Sequence, residues 1–413
     1  MINAGDTGFI LICAALVFLM TPALAFFYGG LVRRKNVCNT MMSSMFVIGL
    51  AIVMWVAFGY SLAFGNDHFG IIGDFSWIGF NGVGMEPGPY ADTIPNLAYA
   101  AFQMMFAIIT PALITGAVAG RMKFKALFIF TTIWSVIVYY PLAHMVWGQG
   151  GFLAEIGSID FAGGNVVHIS SGISALVLAI ILGKRYDYNI ASYRIHNIPF
   201  VVLGAGLLLF GWFGFNAGSA LAADGLAAHA FMTTAASSGA AVLSWMLIEV
   251  FKQGKPSLVG TVTGMVAGLV AITPGAGFVP IWAALIIGFF VSPICYFMIS
   301  AGKKRFGYDD ALDAFGCHGV GGIWGGIATG LFAKRSINDV AQWDGLVFGD
   351  TRLFVAQVLS IIITIVIAIV GTLICVGVVR IFTPLRVSKR EEQIGLDMSE
   401  HGETAYPSFN GLD

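Results

Sequence analysis

The sequence predicts an all-α polytopic membrane protein. It would have eleven transmembrane helices, N-out/C-in, built as two inverted five-helix repeats plus a long eleventh helix. Three observations predict this class. Of 413 residues, 58% are hydrophobic and only 10% charged, against roughly a quarter charged in soluble domains, so the bilayer must act as solvent. Eleven apolar runs approach the ~20 residues needed to cross the hydrocarbon. A short motif also recurs at a fixed offset of 150 residues, one copy on the fifth run and one on the tenth. The net charge of −1 offers no basic field for nucleic acid. The 53 glycines suit close approach of helix backbones in lipid.

The runs cover residues 9–31, 40–64, 94–120, 126–146, 166–183, 198–215, 226–251, 258–273, 279–300, 314–332 and 353–382. The eighth is short, and the eleventh is long enough to tilt. Residues 1–8 carry Asp6 and no Lys or Arg. They lack the basic flank of a signal peptide, so the first run reads as a retained helix entering from outside. Lys and Arg then set the direction. With the N-terminus outside, the inner segments hold Arg33, Arg34, Lys35, Arg121, Lys123, Lys125, Lys184, Arg185, Arg194, Lys252, Lys255, Lys303, Lys304, Arg305, Arg380, Arg386, Lys389 and Arg390, which is 18 of the 21 basic residues. Only Lys334, Arg335 and Arg352 fall outside. One missed or invented helix would scramble that alternation.

The domain expectation follows. Residues 1–383 form the membrane domain, with repeat one about 9–183, repeat two about 198–332 and helix eleven about 353–382; residues 384–413 form an inner tail. The outer loop 65–93, rich in Gly, Asp and Pro, is expected to cover the external mouth. The cysteines, Cys13, Cys38, Cys295, Cys317 and Cys375, are scattered without metal-site spacing, and there is no cofactor motif.

The repeated motif points to the centre of the membrane. On the fifth run Asp160 precedes His168 by eight residues and Gly172 follows by four; on the tenth, Asp310, His318 and Gly322 keep the same spacing. Five spans per repeat is odd, so the copies insert with opposite orientation, and such repeats place sites near the midplane at their interface. Eight helical residues rise about 12 Å, so the two histidines reach one depth from opposite sides. A single buried histidine is more often a satisfied packing residue than a site. Two at matching places in inverted halves favour function, because intramembrane ionisable groups are costly. Neutral imidazoles can hydrogen-bond one another or share a proton, giving a polar lining without fixed charge.

Several segments together resemble the ammonium transporter (Amt/Rh) family, its Amt branch in particular. They are Ala25-Phe-Phe-Tyr-Gly-Gly30, Ala143-His-Met-Val-Trp-Gly148, Asp160-Phe-Ala-Gly-Gly164, Gly211-Trp-Phe-Gly-Phe-Asn-Ala-Gly-Ser219, Gly254-Lys-Pro-Ser257, Phe315-Gly-Cys-His-Gly-Val-Gly-Gly322 and the tail Gly395-Leu-Asp-Met-Ser-Glu-His-Gly-Glu-Thr-Ala-Tyr406. The resemblance implies a homotrimer with one pore per subunit and a multi-pass protein of the cell membrane. It implies an outer substrate site at Phe106, Trp147 and Ser219, extended by Phe102, and an aromatic gate of Phe106 and Phe215. It also implies twin pore histidines, His168 and His318, with Asp160 in support. No cofactor or metal is implied.

The chemistry fits these residue types. Aromatic faces attract a desolvated cation by about 0.5–2 kcal/mol each, and Ser219 adds an acceptor. Phe106, Trp147 and Phe215 are otherwise ordinary packing or interfacial residues. Asp160 could touch the cation, cap the fifth helix or order the outer loop; a carboxylate before Gly163-Gly164-Asn165 at a helix start favours the cap. Moving a bare charge through the bilayer centre costs from about 3 to well above 10 kcal/mol, and neutral ammonia avoids that cost. Ammonium would therefore lose a proton at the gate and cross as ammonia, and potassium, with no proton to lose, would be refused. The residues are compatible with the proton following or staying behind. Methylammonium is the natural analogue.

The tail resembles the family's, which implies coupling between subunits and a PII-type regulatory partner; a solvated end is the alternative. Ser399 and Thr404 are candidate modification positions. His144 lies in the Trp147 motif and would line or support the vestibule. His68, His196, His229 and His401 read as structural or solvated. Rival readings are an ammonium sensor or transceptor, a neutral gas or urea channel, and, last, an intramembrane enzyme, for which no nucleophile or cofactor motif is present.

Overall fold

A computed structural model describes residues 1–188 and 195–406. Arg194, counted above toward orientation, and tail residues 407–413 lie outside the described residues. Eleven helical segments follow in order: α1 Ala4–Leu31, α2 Arg34–Phe64, α3 Asn96–Val118, α4 Phe124–Trp134 running on to Trp147, α5 Gly164–Leu182, α6 Ile198–Gly218, α7 Gly225–Gln253, α8 Leu258–Ile272, α9 Ile281–Phe306, α10 Phe315–Gly319 with Val320–Phe332, and α11 Arg352–Phe382. Among the described residues nine helices are long and apolar enough to cross a membrane. The remaining two are α8, with 15 residues, and the glycine-rich α10. The largest departures from the expected runs are at α2, which starts six residues earlier, and α9, which ends six later. Apolarity marks where lipid begins, whereas backbone hydrogen bonds carry the helix on through polar residues.

Local chemistry sets the ends. Asn3 caps α1 by accepting from the N–H groups of Gly5 and Asp6, Asp224 caps α7, and Ser257 caps α8. Gly254, at φ 82°, closes α7 in the left-handed conformation that glycine takes without strain. Glycine also lets the first helices of the two repeats touch: a Cβ on Gly204 of α6 would strike the backbone of α1 at Phe27, and one on Gly214 would meet Cys13 O at 3.0 Å.

Between α2 and α3, β1 (Asp67–His68) pairs antiparallel with β2 (Ile72–Gly73), and β3 (Pro87–Gly88) with β4 (Ala91–Pro95). Buried His144 of α4 fastens this loop, its ring nitrogens lying 3.0 Å from Ala63 O and 2.9 Å from an Asp67 carboxylate oxygen. His144 thus supports the loop and does not line the cavity described below. This side of the molecule is termed the loop face.

The opposite, tail face carries residues 384–406. Lys123 N donates to Leu385 O and Val387 N to Arg121 O. A short helix, α12 (Lys389–Ile394), follows behind a Ser388–Glu391 capping box. Leu396 is fully buried, its N–H donating to Asn36 Oδ1, while Asn39 N donates to Asp397 and Phe124 N to Glu400. His401 joins this contact, 3.0 Å from Asn39 Nδ2 and edge-on to Phe124, and His196 meets Tyr406. The described tail is therefore docked on the chain's own loops and is not a solvated end.

Candidate functional site

Three helices bring the singled-out aromatics together. On α6, Trp212, Phe215 and Ser219 recur at the three- and four-residue spacing that shares one helix face. Phe106 comes from α3 and Trp147 from the end of α4. The Phe106 and Phe215 rings lie 4.3 Å apart with planes tilted by 36°, and Trp147 meets Phe106 edge-on at 5.8 Å. Trp147 is held there because its indole N–H donates to Asp160 O at 2.9 Å.

Above this pair, toward the loop face, opens a cavity of ≈ 460 Å³ lined among others by Phe106, Trp147, Ser219, Asp160, Gln103, Tyr90 and Tyr99. The Ser219 hydroxyl donates to Phe215 O at 2.9 Å, which leaves its lone pairs as acceptors. Ser219 directly follows the last residue of α6, where the helix dipole presents partial negative charge. Phe102 behaves differently from the expectation that it extends the aromatic cavity. It is fully buried behind Phe106, at 5.0 Å and edge-on, and against Gly218, where a Cβ would meet its ring at 2.7 Å. One helical turn from Phe106, it buttresses the wall.

Below the pair lies a second cavity of only ≈ 20 Å³, lined by Phe215, His168, His318, Trp212 and aliphatic side chains such as Ile109, Leu113 and Val266. That is room for about one water-sized body. His168 and His318 are both buried, with ring centroids 5.3 Å apart and planes 17° from parallel. Neither nitrogen of His168, nor Nδ1 of His318, has a hydrogen-bond partner among the described residues. The direct hydrogen bond that two neutral imidazoles could make is thus not formed in this arrangement. Instead Trp212 lies near-parallel to His168 at 5.4 Å, itself held by an indole N–H donated to Thr273 Oγ1 at 2.9 Å.

The repeated motif accounts for how the histidines meet. Each sits in a wider, π-helical opening turn, Gly164–Ile169 in α5 and Phe315–Gly319 in α10. Each turn is preceded by a left-handed residue, Gly163 (φ 115°) and Asp313 (φ 61°). The Asp160 carboxylate accepts from the N–H groups of Gly163, Gly164, Asn165 and Val166; that of Asp310 accepts from Ala314, Phe315 and Gly316. Asp160 is therefore a helix cap that also borders the cavity. The glycine four residues beyond each histidine closes the symmetry. A Cβ on Gly172 would collide with the Gly319 backbone, and one on Gly322 would lie 3.0 Å from His168 Cβ.

Sequence reasoning left out Trp212, Gln103, Tyr90 and Tyr99. Trp212 was detectable as the residue one turn before Phe215 on the same face of α6. Tyr90 lies on the loop, where no periodicity speaks.

Residues 8–406 match the Ammonium Transporter Family. The chain is 51% identical over 404 residues to the "Ammonium transporter" of Bacillus subtilis (strain 168), covering 97% of this chain and 98% of that one. In structure it is similar to Saccharomyces cerevisiae Mep2, with a TM-score of 0.87 at 35% identity over 94% of this chain and 88% of that one. It is also similar to a solved structure described as "Sensor Amt Protein", with a TM-score of 0.87 at 28% identity over 96% and 98%.

Proposed function

The chain belongs to the Ammonium Transporter Family, and from that premise we propose that it carries ammonium across a cell membrane, passing it through the centre as ammonia. One observation carries the mechanism: a closed aromatic pair separates a roomy, partly polar cavity from a narrow one lined by two imidazoles and apolar or aromatic side chains. Ammonium is recruited between Trp147 and Phe106, whose ring faces favour a desolvated cation, and hydrogen-bonds to Ser219. It loses its proton at the Phe106–Phe215 gate. Ammonia then passes His168 and His318, which offer hydrogen-bonding nitrogens and no permanent charge. Asp160 acts by ordering the start of α5 and the indole of Trp147. The reading is of a transporter and not an enzyme.

The loop face is outside and the tail inside, supported by the 18 of 21 basic residues that this orientation places inside. Residues 1–383 are the membrane domain and 384–413 a regulatory tail to which a PII-type protein binds. The assembly is a homotrimer. A groove between α7 and α9, with small residues Ala235, Ala236, Gly239 and Ala240 beside Leu243, Leu285 and Phe289, is the apolar surface that a second copy would cover.

The test is flux in liposomes containing the purified protein. Wild type should carry ammonium and methylammonium current or flux and exclude potassium. His168→Ala and His318→Ala should each lower ammonium flux, by about tenfold or more if the imidazoles lower the barrier by 1.4 kcal/mol, or admit potassium. Robust potassium current through the wild type would defeat the deprotonation scheme. A sensor, the second reading, is favoured by the likeness to the structure described as a sensor; it would show saturable ammonium binding without flux.

A further inference from the structure

A third cavity, of ≈ 140 Å³, lies on the tail face, where Arg33 and Lys35, Arg185 and Asp187, and Glu392 and Gln393 of the tail converge. Its carboxylates are already committed. Asp187 pairs with Arg33, and Glu392 accepts from Arg386 at 2.8 Å and from Tyr186 N at 2.6 Å. Asp309, behind the wall, takes two hydrogen bonds from the Arg185 side chain at 2.8 and 2.6 Å and lies 3.7 Å from Arg121.

Lys35 differs. Its ammonium donates to two tail carbonyls, Glu392 O at 2.8 Å and Gln393 O at 2.6 Å, and no carboxylate among the described residues forms an ion pair with it. A third N–H remains for a ligand. The charged side chains that line the cavity are the cations Arg33, Lys35 and Arg185 and the carboxylates Asp187 and Glu392, with Arg121, Asp309 and Arg386 paired behind them. One positive charge is in excess around a space several times larger than one water.

We propose that this cavity binds a phosphate-bearing anion, free or as a lipid headgroup, and that the bound anion fastens the tail to the loops after α1 and α5. A phosphate group has the several acceptor oxygens and the double charge that an ammonium and guanidinium forks accept. One wall of the cavity is the tail itself, so ligand and docking stabilise each other.

The test is amide exchange across residues 392–397 of the full-length protein. Inorganic phosphate is the soluble probe, and vesicles of phosphatidylcholine with or without phosphatidic acid are the lipid probe. Exchange should slow saturably, by about tenfold at ten times the dissociation constant. Slowing by phosphate identifies a soluble ligand, and slowing by phosphatidic acid alone identifies a headgroup. Lys35→Gln, which can still donate to the carbonyls, and Gln393→Glu, at an exposed position that adds a carboxylate to the wall, should each abolish the response, and Lys35→Arg should keep it. No slowing with either probe, equal slowing by chloride at matched ionic strength, or wild-type responses from both Lys35→Gln and Gln393→Glu would overturn the proposal. None of these readouts involves transport, so failure here leaves the transport reading standing.

Discussion

Gly172→Ala tests how tightly the two histidine-bearing helices must approach. Gly172 lies four residues after His168 on α5 and faces the backbone directly after His318 on α10. Its added methyl would sit 2.9 Å from His318 C and closer still to the Gly319 N and Cα atoms. Favourable carbon contacts need about 3.5–4.0 Å. The obstructing atoms are backbone, which cannot swing aside, so α5 and α10 must part by about 1 Å. Such overpacking costs about 1–3 kcal/mol. The displacement falls on the turns that hold imidazoles 5.3 Å apart. Where geometry is this demanding, about 1 Å can lower a rate by about two orders of magnitude. Gly322→Ala is the internal control: its methyl would meet His168 Cβ and Ile169 Cγ1 at 3.0 Å and Ile169 N at 3.2 Å, contacts that a shift of a few tenths of an ångström relieves. Ammonium flux in liposomes and thermal unfolding in detergent should both rank wild type above Gly322→Ala and Gly322→Ala above Gly172→Ala. A Gly172→Ala protein with wild-type flux and stability would refute the close-approach argument.

Three further perturbations follow from named contacts. Asp160→Ala removes the acceptor for four backbone N–H groups at the start of α5 and should cost about 0.5–2 kcal/mol of stability, with Asp160→Asn intermediate because asparagine is also a good cap; equal stability of all three would remove the capping role. Asp309→Asn at neutral pH should cost about 3–5 kcal/mol by taking the carboxylate from between buried Arg121 and Arg185. Burial alone would raise Asp309, but hydrogen bonds and charge from Arg185 hold it below the ordinary carboxylate range. A depressed folded value means that its stabilisation is complete above about pH 4 and is lost only on further acidification, so unfolding measured between pH 5 and 8 should show no slope from this group. Deleting residues 395–413 removes buried Leu396 and Asp397 from the tail face and should change flux while leaving membrane insertion intact; unchanged flux would remove the regulatory role of the tail.

Much of the site was legible because its chemistry is local. Asp160 followed three residues later by two glycines announces a cap, and the carboxylate eight residues before each histidine announces the repeat. The π-helical turns were not legible, since no composition distinguishes them from ordinary helix, and they decide where each ring points. Phe102 shows the limit from the other side. Its position one turn from Phe106 places it on the correct helix face, but Gly218 on a distant segment draws its ring into packing. His144 likewise needed its partner Asp67, 77 residues away, before support and lining could be told apart.

The membrane class, the number of spans and the paired motif follow from the chain alone, because apolarity, positive charge and fixed spacing act along the sequence and need no partner. Which aromatic ring closes on which, how narrow the passage below them is, and the docking of the tail depend on contacts between segments far apart in the chain. Those are settled by steric fit, and a glycine that admits a neighbouring backbone reads in the sequence like any other glycine.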